Sequence, residues 1–332
     1  MTPEGACLVQ FEPGASDAEL AQLRDGLWPL LHAIAIYSVK AGQVRRRSLS
    51  GDAELGPAEL PDGRFLALRR RSLVLSPAAT TEKFDANASG WNGEPGSPGW
   101  PHHRWMRRYT GTFDKHPGAK RILDFGCGAG WCGIEAAALH PGASLASFDP
   151  SPEMVRHTEQ NATAAGIQDF TGRVGFGEDP PFPAEGEAPY ELVISSGVVS
   201  FSPDYERWMQ GLTAGVAPGG TLVVGDINNQ SGGMRRRRRE RPLLPVRELN
   251  GVGPDQVERW LVDAGYTRLK RAGYQLSWPI PQAMFVNETK LKGAISHPLV
   301  WLNAAGAGLS GMLKGGFGGA FDSWVMSFRA PR

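Results

Sequence analysis

Between Arg121 and Pro150 the chain reads RILDFGCGAGWCGIEAAALHPGASLASFDP, and in this stretch two acids and three glycines stand where they could hold a ligand. Ile122, Leu123 and Phe125 make a short apolar run around Asp124, and Gly126, Gly128 and Gly130 then alternate with small neighbours. The pattern predicts a buried strand entering a tight turn. Glycine is required in such a turn because the backbone must reach positive φ and admit a ligand without a Cβ in the way. Asp149 follows the last of these glycines by nineteen residues. In a β-α-β unit the two strand ends come side by side, and a carboxylate there can accept hydrogen bonds from both hydroxyls of a ribose. The elements that must position these groups are a helix over 134–139, stopped by Pro141 and Gly142, and a second strand over 145–148. The free N–H groups of the helix point back at the turn.

The same spacing suits a dinucleotide fingerprint. Asp124 argues for another ligand, since an acid just before the turn repels a pyrophosphate but steadies a cationic amino-acid group. LDFGCGAG followed by FDPSPEMV resembles the class I S-adenosylmethionine-dependent methyltransferases. The resemblance implies a Rossmann-like α/β fold with a doubly wound, mostly parallel sheet. It implies that Asp124, Gly126, Cys127, Gly128 and Gly130 lie along the methionine part of S-adenosylmethionine, and that Asp149, with Pro150 and Met154, holds its ribose. Gly177, Glu178, Ser195 and Ser196 are the remaining expected cofactor contacts. The family often places an aspartate near the adenine where Phe176 stands here, so Glu178 or Asp179 is the expected replacement.

Composition sets outer bounds. The 332 residues are enough for one large domain or two modest ones, and 41% hydrophobic content is ordinary for a globular protein. A formal net charge of +1 gives no bulk attraction to nucleic acid or to an anionic surface. Cys7, Cys127 and Cys132 are an odd set, and a disulfide between the latter two would distort the glycine turn; a reducing cytoplasm is the expected compartment. No apolar run approaches the ~20 residues of a membrane span, so no span is expected.

Residues 1–80 read as a small α+β module, a partner or homodimerisation unit. Its capping box Ser16-Asp17-Ala18-Glu19 opens a helix predicted to reach Tyr37, with strands over 44–50 and 65–75. Residues 76–82 read as a linker, and 81–332 as the catalytic domain, in which FDANASGWN leads in over the ligand. After Ser151 a helix closes at Gly166, strands follow at 174–177 and 190–196, and a helix takes in Leu212 and Val216. Strands at 219–226, 266–278 and 324–329 complete the sheet. Arg235 to Arg239 read as a hydrated loop. Residues 279–322 are a helical, glycine-rich insertion before the last strand, expected as a lid: Leu299, Trp301, Leu302, Met312, Leu313 and Phe317 offer apolar surface and the glycines of 306–319 offer pliability. Methionine and glycine there would also suit a membrane surface, but no cationic amphipathic face is legible.

The expected activity is therefore methyl transfer from S-adenosylmethionine to a small, fairly apolar acceptor, with no metal and no nucleic acid required. Alignment supplies most of the acceleration in such an in-line displacement. Asp226, His102 and His297 are candidate proton acceptors. Two alternatives remain open: an NAD-dependent oxidoreductase, for which a Tyr-x-x-x-Lys motif is lacking, and a non-catalytic scaffold, for which the glycine motif would be broken.

Overall fold

The computed structural model describes residues 6–11, 16, 18–19, 21–22, 26, 31–50, 62–70, 76–240, 252–314 and 318–332. The chain divides into two compact units, Met1–Leu73 with Arg237–Glu248 and Val74–Arg236 with Leu249–Arg332.

In the first unit the capping box forms as expected. Ser16 N–H donates to Glu19 Oε2 at 2.8 Å and Glu19 N–H donates to Ser16 Oγ at 3.3 Å. The predicted helix does not extend to Tyr37, because Leu31–Lys40 is a strand (β2). Leu20, Leu23, Leu27 and Leu30 lie outside the described residues, as do 71–75 of the strand expected over 65–75. With β1 (Ala6–Phe11), β3 (Gln43–Ser50) and β4 (Gly63–Arg70), β2 builds an antiparallel sheet in the order β1-β4-β2-β3. Ala41 and Gly42 close the β2–β3 hairpin with φ of 53° and 74°, the signature of a two-residue turn whose twist matches its strands.

The second unit is a seven-stranded sheet in the order β10-β11-β9-β8-β5-β6-β7. Its strands are β5 (Arg121–Phe125), β6 (Ser144–Asp149), β7 (Phe170–Val174), β8 (Tyr190–Ser196), β9 (Val216–Ile227), β10 (Thr267–Leu276) and β11 (Phe321–Arg329). The five from β9 to β7 pair in parallel, whereas β11 runs antiparallel to both β9 and β10. Helices cover the sheet: α1 (Pro77–Asn92), α2 (Trp100–Gly111), α3 (Trp131–Ala137), α4 (Pro152–Ala164), α5 (Tyr205–Ala214), α6 (Gly232–Glu240), α7 (Pro254–Asp263), α8 (Ile280–Thr289) and α9 (Ser296–Met312).

The interior positions of the central strands are mostly apolar because both faces are packed, with Asp124 a buried acid within β5. Leu123, Phe125, Phe148, Val193 and Trp208 belong to one core cluster, and Ile122, Ile134, Leu145, Leu192 and Ile194 to another. Adjacent residues of β5 and β8 thus point to opposite faces, as the pleat requires. The chain leaves β5 toward β6 and β7 and then returns to β8 on the other side of β5. That reversal opens a crevice beyond the carboxyl ends of β5 and β8.

Several boundaries differ from the sequence reading. Residues 77–82 are the first turns of α1, capped by Ser76 Oγ accepting from Ala79 N–H at 3.3 Å, so no linker precedes Phe84. Val174 ends β7 instead of starting it, and Val216 opens β9 instead of closing a helix. Arg235 to Arg239 lie on α6, not on a loop. The glycines at 306, 308 and 311 sit inside α9, not in a loop; Phe317 lies outside the described residues.

Close packing of α2 on α3 rests on Gly111, where a Cβ would stand 2.3 Å from the Cys132 carbonyl oxygen. Backbone cannot yield as a side-chain tip would, so Gly111→Ala is expected to lower stability by about 1–3 kcal/mol. A denaturant titration checks this, with an unshifted midpoint contradicting it.

Candidate functional site

The glycine turn is held from below by the end of β6. Cys127 N–H donates to the Phe148 carbonyl at 2.9 Å, and Gly128 N–H donates to Asp149 Oδ2 at 2.9 Å. Asp149 Oδ1 accepts from Ser151 N–H at 3.0 Å, so each carboxylate oxygen has one backbone donor and keeps capacity for another. Gly128 has φ of 53°, and a Cβ built there would meet nothing within 4 Å: its outer side is open. Gly130 has φ of 80° and opens α3, but a Cβ there would lie 2.4 Å from Thr158 Cγ2. The two glycines therefore do different work. Gly128 keeps space clear above the turn, while Gly130 lets the turn press on α4.

Asp124 lies at 1% exposure at the end of β5, its Oδ2 accepting from Gly133 N–H at 2.8 Å. Burial pushes its carboxyl up to about 7, opposed by the Gly133 hydrogen bond and, more weakly, by the Arg107 guanidinium. Burial likewise pushes Asp149 up to about 6. Burial also raises the Cys127 thiol well above its ordinary range, so it remains a thiol.

A small cleft of about 40 Å³ opens beside this turn. Gly126, Phe148, Pro150, Phe176, Gly177, Glu178, Val198 and Phe201 line it, so its walls are mostly apolar with one carboxylate. Glu178 accepts a hydrogen bond from the Ser202 hydroxyl. Asp179, the other acid expected near the ligand, is exposed and is not among the lining residues. Phe176 supplies wall where the resemblance would have placed an acid. Gly177 is needed for packing, since a Cβ there would stand 2.3 Å from the Trp208 indole.

The other expected contacts fall behind the cleft. Met154 is buried, with its N–H donating to Ser151 Oγ at 3.1 Å. Ser195 is fully buried and donates to the Phe125 carbonyl at 2.9 Å, which joins the ends of β5 and β8. Ser196 stands half-buried near the Cys132 thiol and the Tyr274 hydroxyl. None of the three proton-acceptor candidates lines the cleft. Asp226 accepts from Ser200 N–H and Ser200 Oγ at 3.0 and 2.7 Å, shaping the segment after β8. His102 is buried between α2 and α9, with Asn303 Nδ2 at 3.3 Å from Nδ1, and burial lowers it to about 4. His297 is exposed in the first turn of α9.

Sequence reasoning passed over the clasp that fastens α1 here. Ser151 Oγ donates to Asp85 Oδ1 at 2.5 Å, and Thr81 Oγ1 donates to the Pro150 carbonyl at 3.2 Å. Asn161 Nδ2 bridges Asn92 Oδ1 and the Ala129 carbonyl, each at 2.8 Å. Phe84 meets Phe201 edge-on at 5.3 Å, and Arg107 stands 5.9 Å from the centre of the Trp91 ring. The lead-in FDANASGWN carried four of these groups, but nothing in its own spacing pointed to Ser151.

The sequence profile of a family described as "Methyltransferase domain" matches residues 100–271. Trans-aconitate 2-methyltransferase of Streptomyces avermitilis is 32% identical over 114 residues, 33% of this chain and 41% of that protein. Nocamycin O-methyltransferase of Saccharothrix syringae is 34% identical over 99 residues, 30% of this chain and 34% of that protein. The chain thus spans less than half the length of these curated relatives. Among solved structures, magnesium protoporphyrin IX methyltransferase from Synechocystis PCC 6803 is similar at 14% identity and a TM-score of 0.46, covering 69% of this chain and 83% of that one.

The two glycines separate by experiment. Gly128→Val is expected to cost about 1–2 kcal/mol of stability, the penalty of a left-handed residue, whereas Gly130→Val adds a clash with Thr158 and should cost more. Equal losses by thermal denaturation would contradict this assignment.

The buried acids also set a pH dependence. Their folded-state values lie above the ordinary 3.8, so the stability they contribute is present below about 4 and lost as pH rises through about 6 and 7. Asp124→Asn keeps the acceptor for Gly133 N–H and removes the charge. Its melting temperature should fall less between those pH values than that of the parent; parallel curves would contradict the buried-charge account.

Proposed function

Because the chain belongs to the family carrying a methyltransferase domain, matched over residues 100–271, we propose that it transfers the methyl group of S-adenosylmethionine to a small organic acceptor. The observation that carries this reading is the pair formed by Gly128 and Asp149. The turn that donates its Gly128 N–H to the Asp149 carboxylate has an open outer side at Gly128, at the point where the strand order reverses.

The residues present fit that cofactor. Asp149 has acceptor capacity left for a ribose diol, and Phe148, Val198 and Phe201 offer apolar surface to a purine beside Glu178. Asp124 would hold the cationic amino-acid end. In the empty protein its charge is disfavoured by burial, and an ammonium group beside it would favour the ionised form. Bound S-adenosylmethionine supplies an electrophilic methyl whose departure leaves a neutral thioether.

The chain's own task is then alignment and exclusion of water. The Ser195 link between β5 and β8 fixes the spacing of the strand ends, and the Asp85–Ser151 clasp holds α1 in place next to the ribose end. Asp226, with its oxygens engaged by Ser200 and Ile227, would position the segment after β8 and take no proton from the acceptor. We assign His102 a packing role and His297 none in the chemistry. The Met1–Leu73 unit is retained as a candidate self-association module, supported by the open edge strands β1 and β3 among the described residues. Cytoplasmic residence is supported by the free thiols of Cys127 and Cys132.

Calorimetry with S-adenosylhomocysteine and with NAD tests the reading, which expects binding of the first alone. Asp149→Ala should weaken that binding by about 1.5–3 kcal/mol, the usual range for hydrogen bonds to a charged group. Unchanged affinity in the folded variant, or preference for NAD, would overturn it.

A further inference from the structure

Helix α9 is built inside out. Its inward face carries Ser296, Leu299, Asn303, Ala307 and Ser310, three of them polar. Those polar groups work on neighbouring backbone: Asn303 Oδ1 accepts from Leu276 N–H and Ser310 Oγ from Gly273 N–H, both at 2.8 Å, and Ser296 Oγ donates to the Pro98 carbonyl at 2.7 Å. The outward face repeats at helical spacing through Pro298, Trp301, Ala305, Gly308 and Met312, all exposed, with Leu302 and Leu309 beside them. Trp301 is 73% and Met312 76% exposed. A water-facing helix in a globular protein has the opposite arrangement.

Large apolar side chains are exposed on the segment before α9 as well. Trp278 is 71% exposed just before α8, and Phe285 is 65% exposed on it. Patches of this extent mark a surface that is covered in use. Charge indicates by what. Residues 278–314 hold three lysines, at 290, 292 and 314, against the single acid Glu288, and all three lysines are exposed. Lys292 and Lys314 bracket α9, which has no charged residue of its own. Arg235 of α6 adds a further exposed cation beside Gly319. Exposed tryptophans with lysines at the margins of an apolar face are the composition that settles at a bilayer's headgroup level. No helix of the described residues is long and apolar enough to cross a membrane, so the contact is one of lying on the surface.

We propose that the α8–α9 corner docks on an anionic lipid bilayer, with the outward face of α9 in the interface and Lys290, Lys292 and Lys314 on its headgroups. The inference is independent of the methyl-transfer reading. It gives the insertion 279–322 a role at a lipid surface, where an apolar acceptor would also be concentrated.

The test is co-sedimentation of the full chain with vesicles of phosphatidylcholine alone and of phosphatidylcholine mixed with phosphatidylglycerol. Sedimentation with the mixed vesicles, released by added salt, is expected, with less on phosphatidylcholine. The double variant Trp301→Ser/Met312→Ser should partition more weakly by roughly tenfold or more, as withdrawal of large apolar side chains requires, while its circular dichroism melt stays unchanged. The triple variant Lys290→Gln/Lys292→Gln/Lys314→Gln should lose the preference for mixed vesicles, which keeps the idea falsifiable should the serine variant misfold. Absence of sedimentation with mixed vesicles would overturn the proposal. So would a dimer, seen by light scattering, that Trp301→Ser/Met312→Ser converts to monomer without any lipid binding, since the face would then belong to a second copy of the chain.

Discussion

The glycine turn depends on the hydrogen bond from Gly128 N–H to Asp149. That contact ties the turn that leaves β5 to the end of β6, and so couples the two central strands at their functional end. The bond needs a residue at positive φ and a carboxylate stripped of most of its water. The second condition is costly, as the raised value of Asp149 shows. The surroundings answer that cost in part with the backbone N–H groups of Gly128 and Ser151, which favour the ionised form.

Around that contact the fold is arranged in shells of decreasing specificity. Trp208, Phe125 and Phe148 pack as edge-on aromatic pairs under the cleft, with centroids 4.7 to 5.2 Å apart. Outside them α1 is fastened by side-chain hydrogen bonds and by the edge-on contact of Phe84 with Phe201.

Much of the second unit was legible because its signals are local and strong. ILDF runs into the glycine turn and LASF into Asp149 and Pro150, and a mostly apolar strand buried on both faces admits few other readings. The turn, Asp124, Asp149 and the Ser151 cap were readable for the same reason. Errors arose where a local signal met a tertiary demand. Leucines at helical spacing suggested one long helix through Ile34, but the ladder of β2 with β3 and β4 claims that residue. Ser76 to Glu82 is small and polar, as linkers are, yet the same residues make an N-cap and a first turn. The glycines at 306, 308 and 311 lie within a helix that the sequence did not delimit, where Gly306 lets α9 approach Leu276 of β10, a Cβ there standing at 3.2 Å. Asp85 was unreadable as a partner of Ser151 because the two are distant in sequence and neither carries a motif.

The placement of β11 has a consequence for how the sheet is made. It follows α9 in the chain but lies between β9 and β10, antiparallel to both, so Thr267 finds its partner only at Arg329. On a ribosome, β5 to β9 can assemble as they emerge, while β10 stays unpaired until the whole α8–α9 excursion and β11 have been synthesised. During that interval the exposed strand and the apolar face of α9 are both uncovered in a nascent chain. Closure of the sheet is thus a late event in synthesis.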